Sequence, residues 1–135
     1  MFGPHQRDYT VNLSKTIRNL ALRTMLSKRA EEKNLILLEA IKIETPKTKE
    51  FAAIAKALPI LKKRALYIVK EATPNLKRAS RNMRERIAVK EAAEFTAYDV
   101  MQRAKLVIDE DAIELIEKRL AVTAKEKSKE KPHED

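Results

Sequence analysis

The sequence predicts an α/β fold, a three-layer α/β/α domain built on a four-stranded parallel sheet. Three observations predict it. Helix-period and strand-like segments alternate along the chain, the strand-like runs are short, and a length of 135 residues suits a single domain with one core. Alternation of this kind favours parallel strands joined by crossover helices.

Residues 1–12 read as an extended arm, because Gly3 and Pro4 break regular structure and no apolar period is visible. Gly3 is the only glycine. A helix is expected from about Ser14 to Glu32, capped by Asn12 or Ser14. Leu13, Ile17, Leu20 and Thr24 form one stripe on it. Leu22, Met25 and Leu26 fall on another side, beside Lys15, Arg18 and Arg29. An ordinary surface helix has one apolar stripe. Two imply contact with the sheet on one side and, on the other, either burial or a surface outside this chain.

Leu35–Ile43 (LILLEAIKI) reads as a strand covered on both faces. Thr45-Pro46 reads as a helix start, Thr as N-cap and Pro at the first helical position, and Pro59 as the end of that helix. The cluster Lys62, Lys63, Arg64 leads into a second strand, Ala65–Val69. Thr73-Pro74 repeats the cap-then-proline device and opens a short helix over Asn75–Met83. Ile87–Val89 is a short third strand. Thr96 with Asp99 resembles a capping box and starts a helix to about Arg103. Lys105–Ile108 is the fourth strand, and Asp111 with Glu114 is expected to cap a last helix. The domain is thereby placed at residues 13–122, followed by a charged, low-complexity, disordered tail over 123–135.

Charge narrows the function. Lys and Arg total 29 against 20 Asp and Glu, a net charge of +9. Residues 1–64 carry 14 basic and 6 acidic residues, 65–108 carry 9 and 5, and 109–135 carry 6 and 9. A basic body with an acidic end points to a polyanionic partner, with a solvated lysine-rich surface as the bland alternative. With three Phe, three Tyr and no Trp, base-stacking platforms are scarce, so phosphate contacts and shape should dominate any RNA binding.

Other chemistries fit poorly. A nucleotide site in a doubly wound fold needs a glycine-rich turn, and the first strand–helix junction, IETPKTKE, has none. The two histidines, His5 and His133, lie in the arm and the tail, so neither a metal site nor a histidine-based triad is expected. Ser14, Ser27, Ser80 and Ser128 read as caps or surface residues, and the carboxylate pairs Glu31–Glu32 and Asp109–Asp111 as solvated faces or caps. Without cysteine there is no thiol chemistry. No apolar run approaches the length of a membrane span, and the N-terminus lacks the apolar region of a secretory signal. The expectation is a protein without cofactor, metal or membrane partner, and no enzyme.

Basic residues remain, in three groups. Arg7, Lys15, Arg18 and Arg29 lie in the arm and first helix. Lys47 and Lys49 stand beside Thr45 and Thr48 at a helix N-terminus, where amide donors and the helix dipole favour an anion. Lys77, Arg78, Arg81, Arg84 and Arg86 crowd one short helix. Arginine suits bidentate phosphate contacts.

Four segments carry a resemblance. GPHQRDY with LSKTIRNLALRTMLS, ETPKTKEF (Glu44 to Phe51), NLKRASRN (Asn75 to Asn82) and AYDVMQRAKLVI (Ala97 to Ile108) are similar, in order and spacing, to the bacterial-type family of large-subunit ribosomal protein four. The resemblance covers residues 3 to about 121. It implies a four-stranded parallel sheet with helices on both faces and a role in binding large-subunit rRNA during assembly. Neighbouring ribosomal proteins would be further partners, and the location would be a cytoplasmic or organellar ribosome. By resemblance, Arg7, Lys15, Arg18, Arg23, Lys47 and Lys49 fall in the RNA-facing arm, first helix and PKTK turn. Some members also repress their own messenger RNA, so an extra-ribosomal regulator is the alternative, ahead of a small nucleotide-binding enzyme. Full-length members carry an N-terminal segment and a long basic loop that have no counterpart in these residues. The tunnel-lining role of that loop is therefore not expected, and the segment itself is a further candidate partner, for which the second stripe on the first helix offers a surface.

Overall fold

The computed structural model describes residues 2–39, 41, 43, 45–58, 60 and 63–127, with residues 122–127 described by their backbone alone. Helix α1 (Lys15–Glu31) precedes strand β1 (Leu35–Leu38) and helix α2 (Thr48–Ala57). Strand β2 (Ala65–Val69), helix α3 (Pro74–Ser80) with a 3-10 turn at Arg81–Met83, and strand β3 (Ile87–Glu91) follow. Helix α4 (Ala97–Gln102), strand β4 (Lys105–Asp109) and helix α5 (Glu110–Lys127) complete the order. The four strands form one parallel sheet in the order β1-β4-β2-β3.

Side-chain alternation along the strands divides the core between the two faces of this sheet. Leu66 and Ile68 of β2 and Leu106 and Ile108 of β4 pack with Leu22 of α1, Val100 of α4 and Ala112 and Ile116 of α5. Ala65, Tyr67 and Val69 of β2 and Val107 of β4 pack with Phe51 and Ala55 of α2 and Leu76 and Ala79 of α3. Helices therefore cover both faces, as expected. The central strand β2 is buried at all five residues, which is why it reads as an unbroken apolar run.

Local chemistry sets most boundaries. Ser14 caps α1 by accepting from the Ile17 amide at 3.4 Å. Thr73 accepts from the Leu76 amide, with Pro74 in the first turn of α3. Thr96 and Asp99 form the full capping box of α4. Helix α1 stops where Lys33 adopts a left-handed conformation, φ 54°, and the Asn34 amide turns back to Arg29 O.

Several expectations are corrected. Strand β1 ends at Leu38 rather than Ile43. Its partner β4 ends at Asp109, opposite Leu38, and then enters α5, so among the described residues the pairing of β1 stops at Leu38. β1 is an edge strand, and Leu37 is 52% exposed instead of covered on both faces. Helix α2 starts at Thr48 with Lys47 as N-cap and no side-chain cap bond, because the Thr45 hydroxyl is held by the Glu50 carboxylate. Asp111 lies inside the first turn of α5 instead of capping it, since the helix begins at Glu110. That helix continues to Lys127, five residues past the expected end of the domain at 122, while 128–135, with Ser128 and His133, lie outside the described residues. Pro59 and Lys62 also lie outside them. Among the described residues no helix is long and apolar enough to cross a membrane, and no group of acidic or histidine side chains could hold a metal ion.

Candidate nucleic-acid interface

Helix α1 turns two different sides outward and inward. Leu22 is 1% exposed, and Met25 and Leu26 pack on the same core. Leu13, Ile17 and Leu20 are each about half exposed, at 55%, 52% and 53%. The two stripes read from the sequence are thus one inward and one outward stripe. Leu13 and Ile17 line a groove of about 590 Å³ with Ala97 and Tyr98 of α4, and Lys15 and Arg18 stand in its wall. Tyr98 and Met101 extend the exposed apolar surface, at 63% and 58%.

The basic residues divide by what their charges already hold. Lys15 and Arg18 are exposed, as are Lys47, Lys49, Arg78 and Arg81, and none of the six forms an ion pair among the described residues. Arg7 is exposed in the arm, where its guanidinium lies 4.6 Å from the centre of the Tyr9 ring.

Arg23 and Arg29 differ. Arg23 donates to Leu120 O, tying α1 to α5. Arg29, with its side chain only 14% exposed, donates to Val100 O at 3.3 Å, Met101 O at 3.2 Å and the Glu32 carboxylate at 2.8 Å. These two guanidiniums hold helix ends together within the chain. Glu32, held by Asn34 and Arg29, has its pKa lowered from the ordinary carboxylate value.

The sheet separates the cations on helices into two sets. Lys15 and Arg18 belong to the side packed by α1, α4 and α5. Lys47 and Lys49 on α2, with Arg78 and Arg81 at α3, belong to the opposite layer, where α2 and α3 pack together. Arg81 and Arg84 also line an open concavity of about 480 Å³ with Lys77, Lys90, Glu91 and Glu94. There Lys77 is paired to Glu91 at 2.9 Å, which raises the lysine pKa and lowers that of the carboxylate.

Two readings of polar residues are corrected. Ser80 is buried and donates to Lys77 O at 3.3 Å, so it is not a surface residue, and at the start of the 3-10 turn its side chain makes no cap bond. Asp109 is 5% exposed and accepts a 2.6 Å hydrogen bond from the Tyr67 hydroxyl, which is likewise buried. Burial pushes the Tyr67 phenol up, and the Asp109 bond adds to it. Burial also raises the Asp109 carboxyl, partly offset by the Tyr67 bond and reinforced by Asp111. No spacing in the sequence signals this pair, because 42 residues separate its members. Arg119 was equally silent: it donates to Ala92 O and Phe95 O and lies 5.3 Å from the Phe95 ring centre.

Fold and surface together define a basic α/β domain with exposed cations on its helices, loops and arm. The chain belongs to the Ribosomal protein L4/L1 family, which it matches over residues 1–119. It is 35% identical over 121 residues to the large ribosomal subunit protein uL4 of Flavobacterium johnsoniae, covering 90% of this chain and 57% of that protein. The uL4 proteins of Phocaeicola vulgatus and Desulforamulus reducens are each 36% identical over 121 residues, with 58% and 57% of their lengths covered. The chain thus spans somewhat more than half the length of these relatives.

Proposed function

We propose that this domain is a structural component of the large ribosomal subunit that docks on rRNA through phosphate contacts, without catalysis. The observation that carries the reading is an excess of exposed cations that form no ion pair among the described residues, Lys15, Arg18, Lys47, Lys49, Arg78 and Arg81 among them. A folded domain with such a surface is suited to a polyanion, and family membership selects rRNA among polyanions. Arg7 of the arm joins this set. Arg23 and Arg29, occupied by backbone carbonyls within the chain, contribute through the stability of α1 rather than through RNA. With few aromatic side chains available, RNA shape and the phosphate backbone supply the recognition. The neighbouring proteins of the subunit would meet the apolar side of α1.

The test is binding to a large-subunit rRNA transcript, with an unrelated structured RNA as competitor, across a salt series. The expected result is a preference for the rRNA whose affinity falls steeply with salt. Lys15→Ala with Arg18→Ala should weaken that affinity while helical content and melting stay as in the parent. Equal binding to every RNA would reduce the surface to a generic basic one and remove the reading.

A further inference from the structure

Strand β3 is an edge of the sheet: it pairs with β2, and among the described residues no other strand lies beside it. Along a strand in a parallel ladder, successive residues turn their backbone groups to opposite sides. Two bonds that bracket the β2–β3 ladder fix which residues turn which way. The Ala65 amide donates to Arg86 O and the Ala92 amide to Val69 O, both at 2.8 Å, so Arg86, Ala88, Lys90 and Ala92 turn toward β2. Ile87, Val89 and Glu91 therefore turn away from it. Glu91 O accepts from the Glu94 and Phe95 amides at 3.0 and 3.2 Å, which closes the strand. The amide and carbonyl of Ile87 and Val89, with the Glu91 amide, are left with no strand partner among the described residues.

This edge borders the concavity of about 480 Å³ described above. Ile87, Val89 and Glu91 line it from the strand, and Ser80, Arg81 and Arg84 from α3 and the turns that follow it. Lys77 is already held by Glu91 at 2.9 Å, whereas Arg81 and Arg84 are exposed and form no ion pair among the described residues. Edge strands are ordinarily blunted by a charge of their own, and Lys90 serves that end here. Blunting does not account for two further guanidiniums on the helical wall.

We propose that the β3 edge and this concavity receive an extended segment of another protein, which adds a strand to the sheet and carries acidic side chains at alternate positions to meet Arg81 and Arg84. In strand addition the main-chain hydrogen bonds supply affinity, and every second side chain supplies selectivity. A peptide brings both donors and acceptors to Val89. The phosphodiester backbone of RNA brings acceptors alone and would leave the carbonyl unmet. The charges agree, because Glu91 and Glu94 share the lining with the arginines and oppose a uniformly anionic strand. The inference goes beyond rRNA docking and does not depend on it, and it gives Arg81 a protein carboxylate as its ligand.

The test uses the full chain and a short synthetic peptide, capped at both ends, in which valine and glutamate alternate. Titration is followed by amide NMR shifts and hydrogen exchange. The Val89 and Glu91 amides should shift and gain protection, with a Kd on the order of 0.1 mM for so short a strand. Arg81→Ala with Arg84→Ala should weaken binding roughly tenfold, the effect of two exposed charge pairs. N-methylation of one alternate set of the peptide's amides should abolish binding, while methylation of the other set, facing away from β3, should be tolerated.

No shift at Val89 with the peptide at millimolar concentration would overturn the proposal. Equal binding of the two N-methylated peptides would also overturn it, reducing the contact to charge attraction. Protection of the Val89 amide by the large-subunit rRNA transcript, with rRNA affinity lost in Arg81→Ala, Arg84→Ala, would assign the concavity to RNA instead. A Val89 amide already protected in the free chain would show the edge covered by the chain itself, and the proposal would fall while the rRNA reading stood.

Discussion

Truncating two leucines of one helix tests how α1 sits on the sheet. Leu22 is 1% exposed and lies in the cluster that includes Leu66, Ile68, Phe95 and Leu106. Leu20, two residues earlier, is 53% exposed. At about 100° per residue the two side chains leave the helix in nearly opposite directions. Leu22→Ala removes apolar atoms from a filled core and leaves a cavity, a cost of about 3–4 kcal/mol. Leu20→Ala removes atoms only half withdrawn from water, about 1 kcal/mol, from which the better helix propensity of alanine subtracts a little. The assay is urea unfolding followed by helical circular dichroism. With a slope of about 2 kcal/mol per molar, the Leu22→Ala midpoint should fall by about 1.5–2 M, and the Leu20→Ala midpoint by no more than about 0.5 M. Similar destabilisation of the two, or a larger one for Leu20→Ala, would mean that α1 presents the other stripe to the sheet. The outward apolar surface would then not exist in this form.

Arg29→Ala should destabilise the domain by about 2 kcal/mol, because it frees the Val100 and Met101 carbonyls that tie α4 to α1. The rRNA affinity of the folded fraction should not change, and a melting curve with an RNA titration at low temperature checks both parts. A loss of affinity at unchanged stability would make Arg29 an RNA ligand instead. The Asp109 carboxyl, raised above its ordinary value of 3.8 by burial, sets a pH dependence of known sign. Below 3.8 it is protonated in both folded and unfolded chains; from there up to its raised folded value the native state keeps a proton that the unfolded chain has released. Its contribution to stability therefore declines as pH rises through that window and is constant above it. Urea unfolding of the parent and of Asp109→Asn from about pH 3 to pH 7 isolates the effect, since other carboxylates titrate in both proteins. A stability difference that stays flat or rises with pH would refute the burial of that carboxyl.

Local signals were legible wherever one short segment decides the outcome. Strand β2 matches its expected limits because five consecutive apolar residues are buried between two helix layers. The Thr73-Pro74 device works as read, yet the same dipeptide at Thr45-Pro46 does not cap its helix. At the second site the Glu50 side chain takes the threonine hydroxyl, and the helix begins two residues after Pro46. The apolar run after Leu35 has strand composition throughout but pairs only while β4 runs beside it. Composition shows which residues can join a sheet, whereas the partner's length decides how many do. The arginines follow the same rule. Arg18, Arg23 and Arg29 look alike along α1. Carbonyls 97, 71 and 72 residues away make Arg23 and Arg29 internal ties, and Arg18 meets no such carbonyl among the described residues.

The architecture also bears on how an enzyme-like layout could serve the docking role proposed above. In open parallel sheets, ligands settle outside the carboxyl ends of the strands, where neighbouring strands feed helices on opposite faces. Here β2 feeds α3 on one face and β4 feeds α5 on the other, so such a position lies between them. It is taken by the chain itself: the Tyr67 hydroxyl closes on Asp109. The polar groups that could have met a small ligand thereby satisfy each other. The cations that face outward lie elsewhere, on the arm, on α1, at the start of α2 and at the end of α3. There the backbone is fixed by caps, by the buried core and by arginines that bond within the chain. Binding a rigid polyanion asks for cations at set distances rather than an enclosed pocket. A sheet covered on both faces supplies that spacing, and buried ties such as Arg29 contribute through the stability of the scaffold.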